Sequence, residues 1–363
     1  MGAILTRATL SGSLAQVRHV TPVPPGAAPE HVRAVYAQVE RDFGMLAPPV
    51  ILHSPAPESL AACWTMLRES LLAAGAVGRP VKEAVAAAVS HGNRCPYCVD
   101  VHAATLRGLT RGRHAAEIAA GRLEVVDDPA IRDVAEWARD LGRRETARRP
   151  PGSPAEAAEL VAVAVVFHYL NRMVNVFLGD SPLPPEVPAR ARPGLMRLFG
   201  LVMSPAARRA GTPGLSLDLL PAAPPLAELA WANGSPRIAK AFARAAAATD
   251  AAGRRSVPEP VRELVGALLD EWDGAPPGPS RAWAAEAVRA LPETQRPAGR
   301  LALLTAMASY QVDQGVVDDF RRGTPEDRAL VELVSWASLA AARRVGARAV
   351  ARPAAHASRS DHE

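Results

Sequence analysis

Ten segments of the chain repeat their apolar residues at the spacing of an α-helix, and this periodicity limits the fold more than any other feature. The apolar residues are mainly Ala, Leu and Val, and aromatic residues make up only 4% of the 363 positions. This composition favours helices, and no alternating strand pattern competes with the helical one. The sequence therefore predicts an all-α protein, with helices over residues 58–73, 81–90, 103–120, 130–141, 154–176, 237–251, 261–272, 282–291, 300–320 and 325–345.

Proline and glycine cluster in residues 179–193 and 211–225, on either side of a short apolar segment at 194–203 that we also predict to be helical. A chain of this length exceeds the size at which one core usually stops growing, so two domains are expected. The boundary is expected near residue 222. The predicted units are a first domain over residues 1–222, a second over 223–350 and a disordered tail over 351–363.

The two halves resemble each other in sequence, which favours a duplicated helical unit. Val81-Lys82-Glu83 aligns with Val261-Arg262-Glu263 at an offset of 180 residues. At the same offset a CxxC motif and its following histidine meet residues without such chemistry, because Cys95, Cys98 and His102 correspond to Ala275, Gly278 and Ala282. We therefore predict a degenerate second unit that lacks the cysteines and serves as a packing partner.

Charge and hydropathy argue against two classes of partner. The net charge is +5, but the 42 basic residues are interspersed with 37 acidic ones and form no run of five like charges, so a nucleic-acid partner is not expected. No apolar run approaches the roughly 20 residues that span a bilayer, and residues 1–20 lack the apolar core of a signal peptide. The sequence thus predicts a cytoplasmic protein without a membrane partner.

Two of the three cysteines lie in the stretch HGNRCPYCVDVHAATLRGL, residues 91–109. In a reducing cytosol, a CxxC motif is more often a redox pair or a set of metal ligands than a static disulfide. Gly92 and Asn93 can end one helix, and Pro96 suits the first turn of the next. Cys95 is then at the N-cap and Cys98 in the first turn, where unpaired N–H groups and the helix dipole favour a thiolate.

The spacing of this motif brings acid–base groups to the sulfurs. Cys95, Cys98 and His102 follow an i, i+3, i+7 pattern and share one face of the predicted helix. Glu83 precedes Cys95 by twelve residues on the preceding helix, which can pack its carboxylate against the thiols. Together these groups form a proton relay that can remove a thiol proton and return a proton to a leaving alkoxide.

Glu83, Cys95, Cys98 and His102 form the pattern E-x11-C-x2-C-x3-H, which resembles the signature of the alkylhydroperoxidase D-like group in the carboxymuconolactone decarboxylase family. The flanking stretches HSPAPESLAACW, KEAVAAAVSHGNRCPYCVDVHAATLR and FHYLNRMVNVFL also look like the peroxidase-related branch of that family. The resemblance covers about residues 30–200, and the second half only weakly.

This resemblance implies an all-helical fold and a thiol peroxidase that reduces hydroperoxides. It makes Cys98 the peroxidatic cysteine, Cys95 the resolving cysteine, and Glu83 and His102 the proton relay. Tyr97 stands where the best-known member has a further histidine. The resemblance also implies a thiol or lipoyl-type reductant protein and a homo-oligomer, and neither a cofactor nor a metal is expected.

Three alternatives to the peroxidase remain open at the level of sequence. Zinc ligation by the two cysteines and His102 would need a fourth ligand, for which His91 is the only near candidate. A lactone decarboxylase like the family's namesake would not require the CxxC motif. A non-catalytic, redox-responsive helical scaffold would form the disulfide once and never turn over.

Several other residues have structural interpretations. Cys63 is expected to be a small buried apolar residue, and Asp100 to be solvated, since it is off the face that carries the cysteines. A polar row within the apolar segment 154–176 is expected to form a hydrogen-bonded core or subunit contact rather than to line a substrate pocket; it comprises His168, Tyr169, Asn171 and Arg172.

Overall fold

The computed structural model describes residues 10–110, 113–143, 148–184 and 186–349. Within these ranges the protein consists of helices and their connections, and the strand-like pairing is limited to an isolated parallel bridge between Ala73 and Gly211. The predicted all-α fold is therefore confirmed. The tail predicted over 351–363 lies outside the described residues.

The helices of the first half surround the cysteine motif and end before the second proline-rich stretch. They are α1 (Glu30–Phe43), α2 (Pro48–Ile51), α3 (Pro57–Leu67), α4 (Arg79–Gly92), α5 (Pro96–Leu109), α6 (His114–Ala119), α7 (Pro129–Asp140), α8 (Pro154–Phe177) and α9 (Arg192–Ala207). A π-helical turn, Arg68–Leu72, extends α3, and many of these helices begin with proline, whose fixed φ angle suits the first turn.

The second half continues the same architecture. Its helices are α10 (Pro236–Ser256), α11 (Glu259–Glu271), α12 (Ala282–Ala287), α13 (Arg296–Ala308), α14 (Gln314–Arg321) and α15 (Asp327–Arg348).

Two segments predicted as single helices are each divided in the structure, and α1 and α2 were not predicted. The segment predicted at 103–120 is divided, because α5 ends at Leu109 and α6 begins at His114; Gly108 weakens the helix near its end. The segment predicted at 300–320 is also divided, because the Asp313 carboxylate accepts a hydrogen bond from the Val316 N–H and caps a new helix. Helix α1 has an apolar face at helical spacing and could have been predicted.

Helix α8 lies at the centre of the molecule and contacts both halves. It is the only described helix long and apolar enough to cross a membrane, but 94% of its apolar window is buried inside the protein, as in a core helix. The Tyr169 hydroxyl hydrogen-bonds Ser335 Oγ at 2.9 Å, and Arg172 Nε donates to the carbonyl of Ala306 at 2.9 Å. One hydrophobic core therefore runs through both halves. The predicted division at residue 222 stays a prediction.

Helix α9 lies across α5, the helix that carries the cysteines, at very short range. A Cβ atom on Gly200 would be 2.2 Å from the carbonyl oxygen of Ala104, and one on Gly108 would be 2.5 Å from the Gly200 carbonyl oxygen. Only glycine permits this approach of two backbones. The contact brings Phe199 over the space in front of Cys98.

Candidate active site

The junction between α4 and α5 presents the cysteine motif as the sequence predicts. Helix α4 ends at Gly92 with Asn93 as its C-cap, and Arg94 turns the chain with a φ of 53°. Cys95 is the N-cap of α5 and Pro96 its first residue, so Cys98 lies in the first turn. The local structure of the motif follows directly from its proline and its helix-ending residues.

The two thiols are in direct contact and nearly inaccessible to water. The Cys95 thiol donates to Cys98 Sγ at 2.9 Å, and the two residues are 1% and 4% exposed. Burial and the neighbouring Cys98 thiol raise the pKa of Cys95 well above its usual value, although the Cys98 N–H and the Asn171 side chain favour its thiolate. Cys95 is therefore protonated at neutral pH and is the more deeply buried of the two cysteines, although it is closer to the Gly92–Asn93 turn.

Glu83 holds His102 in a fixed orientation beside the cysteines. His102 Nδ1 is 2.7 Å from Glu83 Oε2, and Arg79 Nε donates to the other carboxylate oxygen at 2.6 Å. Burial alone would raise the pKa of Glu83, but Arg79 and His102 outweigh burial and hold this pKa below its usual value. Since the ionised carboxylate accepts the Nδ1 hydrogen, Nε2 is the ring nitrogen that is left to exchange a proton with a neighbouring group. The edge of the Phe167 ring contacts the imidazole, with 4.4 Å between ring centroids.

A cavity of about 100 Å³ opens in front of Cys98 and His102. Cys95 does not line this cavity, so a small molecule inside it meets Cys98 first. The walls are mainly apolar and come from both sides of the site, with Phe43, Met45, Leu67, Leu71, Phe167, Leu170 and Phe199 among the lining residues. The site therefore combines a thiol and an imidazole with an apolar binding space.

Tyr97 is turned towards the N-terminal segment. Its hydroxyl donates to Gln16 Oε1 at 3.0 Å, and both residues line the cavity. Burial raises the pKa of Tyr97, so its hydroxyl is neutral at physiological pH. Tyr97 forms part of one wall of the cavity. Its hydroxyl bonds Gln16 and does not join the hydrogen bond between Glu83 and His102.

The remaining predicted residues lie away from the apolar cavity. Cys63 is fully buried in α3, and burial raises its pKa. His91 is exposed at the end of α4, with its ring beside Gly121, and Asp100 is exposed on α5. Among the described residues, no group of three His, Cys, Asp or Glu side chains could hold a metal ion.

The polar row of α8 forms a hydrogen-bonded network behind the motif. The Asn93 amide donates to Asn171 Oδ1 at 3.0 Å and to His168 Nδ1 at 3.1 Å, and Asn171 donates to Ser90 Oγ at 3.0 Å. Neither His168 nor Asn171 lines the apolar cavity. The network ties the turn that carries Cys95 to the central helix.

Some residues of the site were not identified from the sequence. Arg79 could have been, because it precedes Glu83 by four residues and such pairs face each other on a helix. Gln16 and Phe167 reach the site through contacts between distant parts of the chain, for which local sequence carries no signal.

Comparison with known proteins agrees with this geometry. The sequence profile of the carboxymuconolactone decarboxylase family matches residues 58–140, which contain Glu83, both cysteines of the motif and His102. The chain belongs to this family. It is also 39% identical over 332 residues to a protein named alkyl hydroperoxide reductase Rv2159c from Mycobacterium tuberculosis (strain ATCC 25618 / H37Rv); the match covers 91% of this chain and 94% of that relative. The resemblance to alkylhydroperoxidase D-like proteins is therefore confirmed.

Proposed function

We propose that this protein is a two-cysteine thiol peroxidase that reduces organic hydroperoxides. The observation that carries the proposal is that Cys98 shares an apolar cavity with His102, whose ring is oriented by Glu83, whereas Cys95 lies behind. The name of the mycobacterial relative, an alkyl hydroperoxide reductase, supports an oxidoreductase of this general type.

In the first step, His102 Nε2 accepts the proton of Cys98, and the resulting thiolate attacks the terminal oxygen of the hydroperoxide. The O–O bond breaks as the S–O bond forms. The departing alkoxide takes a proton from the imidazolium and leaves as an alcohol, while Cys98 becomes a sulfenic acid. Glu83 acts on His102, because its carboxylate stabilises the positive charge that the ring carries between the two proton transfers.

In the second step, Cys95 attacks the oxidised sulfur of Cys98, a water molecule leaves and a disulfide forms. The sulfur atoms already touch at 2.9 Å, so only a short approach is required. A thiol or lipoyl-type reductant then supplies two electrons and two protons, which restore both thiols.

The walls of the cavity favour a hydroperoxide with an apolar organic group. Burying such a group against Phe43, Leu71 and Phe199 removes apolar surface from water, at about 25 cal/mol per Å². Hydrogen peroxide gains nothing from these contacts. We therefore expect cumene hydroperoxide to react faster than hydrogen peroxide.

The assembly and location of the protein are part of the same proposal. The outer face of α9 exposes a row of apolar residues, with Leu201 66% exposed, and such a face supports a homo-oligomer. The full row comprises Leu195, Leu198, Leu201 and Val202. The burial of α8 and the reduced thiols that the reaction requires are compatible with a cytoplasmic protein.

The decisive experiment is stopped-flow oxidation of the reduced protein by hydroperoxides, followed by mass spectrometry of the cysteines. Cys95→Ser should consume one equivalent of peroxide and stop as a sulfenic acid on Cys98, and Cys98→Ser should not react. Cys63→Ser is the matched control, because Cys63 is a buried thiol outside the cavity, and it should react like the wild type.

The opposite labelling, with the sulfenic acid on Cys95 in Cys98→Ser, would refute the assigned roles. A disulfide that forms once and is never reduced by dihydrolipoamide or a thioredoxin-like donor would indicate the redox-responsive scaffold. Turnover of a lactone that survives the loss of both cysteines would indicate the decarboxylase.

A further inference from the structure

A second cavity lies where the two halves meet, on the side of α8 away from the apolar cavity. We call it the junction pocket. It has a volume of about 60 Å³ and is lined by residues of α4, α7 and α8 from the first half and by Trp272, Ser309 and Tyr310 from the second. None of the residues that the proposed peroxidase reaction uses lines it.

The floor of the junction pocket carries a buried positive charge without a carboxylate partner. Arg172 is 6% exposed, and its guanidinium donates to the carbonyls of Ala306 and His168. Burial lowers the pKa of Arg172 to about 10, so the group stays charged at neutral pH. In the described part of the chain no acidic side chain forms an ion pair with Arg172, and leaving a buried charge unpaired is costly.

Two neutral polar groups at the same pocket also lack partners. His168 Nδ1 accepts a hydrogen bond from Asn93, so Nε2 carries the ring hydrogen; Nε2 is buried and makes no well-aligned hydrogen bond, although the Leu141 carbonyl lies beside the ring. Burial, assisted by Arg172, lowers the pKa of His168 to about 3, although the Leu141 carbonyl favours the protonated ring. The hydroxyl of Tyr310 is likewise buried and unpaired.

The other described lining residues add positive charge. Arg139 and the exposed Arg143 line the pocket, and among the residues that the structure describes no Asp or Glu side chain does. The neighbouring carboxylates are engaged elsewhere, since Asp140 binds Arg139 and Asp273 accepts a hydrogen bond from the Ala275 N–H. The described side chains that line the pocket thus include three arginines, of which Arg139 is paired with Asp140, and no carboxylate.

We propose that the junction pocket binds a small oxyanion, a carboxylate or a phosphate group, through Arg172, His168 and Tyr310. An oxyanion supplies acceptors for the two unpaired donors and a counter-charge for the guanidinium at once. The volume corresponds to about four water molecules, which is enough for such a group and too little for a nucleotide. Because both halves line the pocket, the second half contributes a binding site even though it lacks the cysteines.

The test is isothermal titration calorimetry of the reduced, full-length protein at pH 7 with sodium phosphate and with sodium acetate, at constant ionic strength set by chloride. At least one oxyanion should bind saturably and raise the temperature of unfolding. Preference for phosphate or for acetate identifies the group, and either preference supports the site. The absence of saturable binding up to about 10 mM, or equal binding of chloride, would overturn the proposal.

Two variants test the assignment without disturbing the fold. Tyr310→Phe removes a hydroxyl that bonds nothing in the protein and should weaken binding about tenfold, as expected for one hydrogen bond to a charged group. Arg143→Gln should weaken it severalfold. Arg197→Gln removes an equally exposed charge that is outside the pocket and should bind like the wild type. Unchanged affinity in Tyr310→Phe would refute the site.

Discussion

Glu83 and Glu263 occupy corresponding places in the sequences of the two halves, but their surroundings are opposite. Glu83 is fully buried and accepts hydrogen bonds from Arg79 and His102. Glu263 is exposed on α11. In the second half Ala282 stands where the first half has His102, so a carboxylate turned inwards there would lack the imidazole that it needs.

The loops that follow α4 and α11 also differ. In the first half the loop presents Cys95 to the thiol pair, whereas in the second half the Ala275 carbonyl accepts a hydrogen bond from Trp272 and the Gly278 carbonyl accepts one from Gln311. The second loop is thus held by hydrogen bonds between its backbone and the side chains of Trp272, Asp273 and Gln311. The first half thus carries a pair of thiols where the second half has none, and the predicted duplication and packing role stay predictions.

The largest effect is expected from removing the second half altogether. A chain of residues 1–222 loses α10–α15, and with them the contacts of Tyr169 and Arg172 on α8 and the ion pairs of Arg237 with Glu69 and Glu159. It should be insoluble or lack a cooperative unfolding transition in circular dichroism. A chain that lacks only residues 351–363 is the control and should fold. A soluble, monomeric and fully active 1–222 fragment would contradict the packing role.

The two glutamates can be compared directly by their effect on rate. Glu83→Gln should slow peroxide reduction by about 10²-fold, because the amide cannot stabilise a protonated His102, and the loss is in the usual range for acid–base groups. Glu263→Gln is the matched control and should react at the wild-type rate. His102→Ala should lose at least as much as Glu83→Gln. Wild-type rates and pH profiles in both first-half variants would exclude the relay.

Substitutions of Glu83 and of Glu263 should also differ in their effect on stability as the pH changes. The pKa of Glu83 is lower in the folded protein than the value of about 4.3 in an unfolded chain, so its ionised form stabilises the fold above that pH. This contribution is lost as the pH falls through the folded-state pKa. Urea unfolding should therefore show Glu83→Gln less stable than wild type at pH 7, with a smaller difference under acid conditions. For Glu263→Gln the difference should be near zero at every pH.

The smallest effect concerns a single contact between the halves. The Tyr169 hydroxyl donates to His53 Nε2 at 2.8 Å and bonds Ser335 Oγ at 2.9 Å, all within the core. Tyr169→Phe leaves both partners buried without that bond and should lower the free energy of unfolding by about 1–3 kcal/mol in urea. Tyr36→Phe removes a hydroxyl that donates to the Val23 carbonyl within the first half, and it should cost less. Equal stability of Tyr169→Phe and wild type would show that this contact does not join the halves.

The sequence predicts most helices because their signal is local. The apolar spacing and the prolines of α3, α4, α7, α8 and α10 locate them closely. The breaks after Leu109 and at Asp313 were missed because an apolar period can continue across a cap, so periodicity alone does not show where a helix stops.

The residues of the candidate site also divide into those that a local sequence signal identifies and those that it does not. Cys95, Cys98, His102 and Glu83 are adjacent through helical spacing and one helix–helix contact, and the sequence brings them together correctly. The apolar cavity depends on Gln16 and Phe199, which come from segments far from the motif. Their positions follow from tertiary packing, such as the glycine contact between α5 and α9, and no single sequence contains that information.

The central position of α8 has a consequence during protein synthesis. The face of this helix that carries Val165 and Tyr169 is covered by α15, which leaves the ribosome only after residues 178–326 have been made. At about 5–20 residues per second, that face stays open for roughly 10–30 s. The newly made chain therefore exposes one face of a membrane-length apolar helix during this interval, and we expect chaperones that bind apolar segments to protect it until the last helix docks.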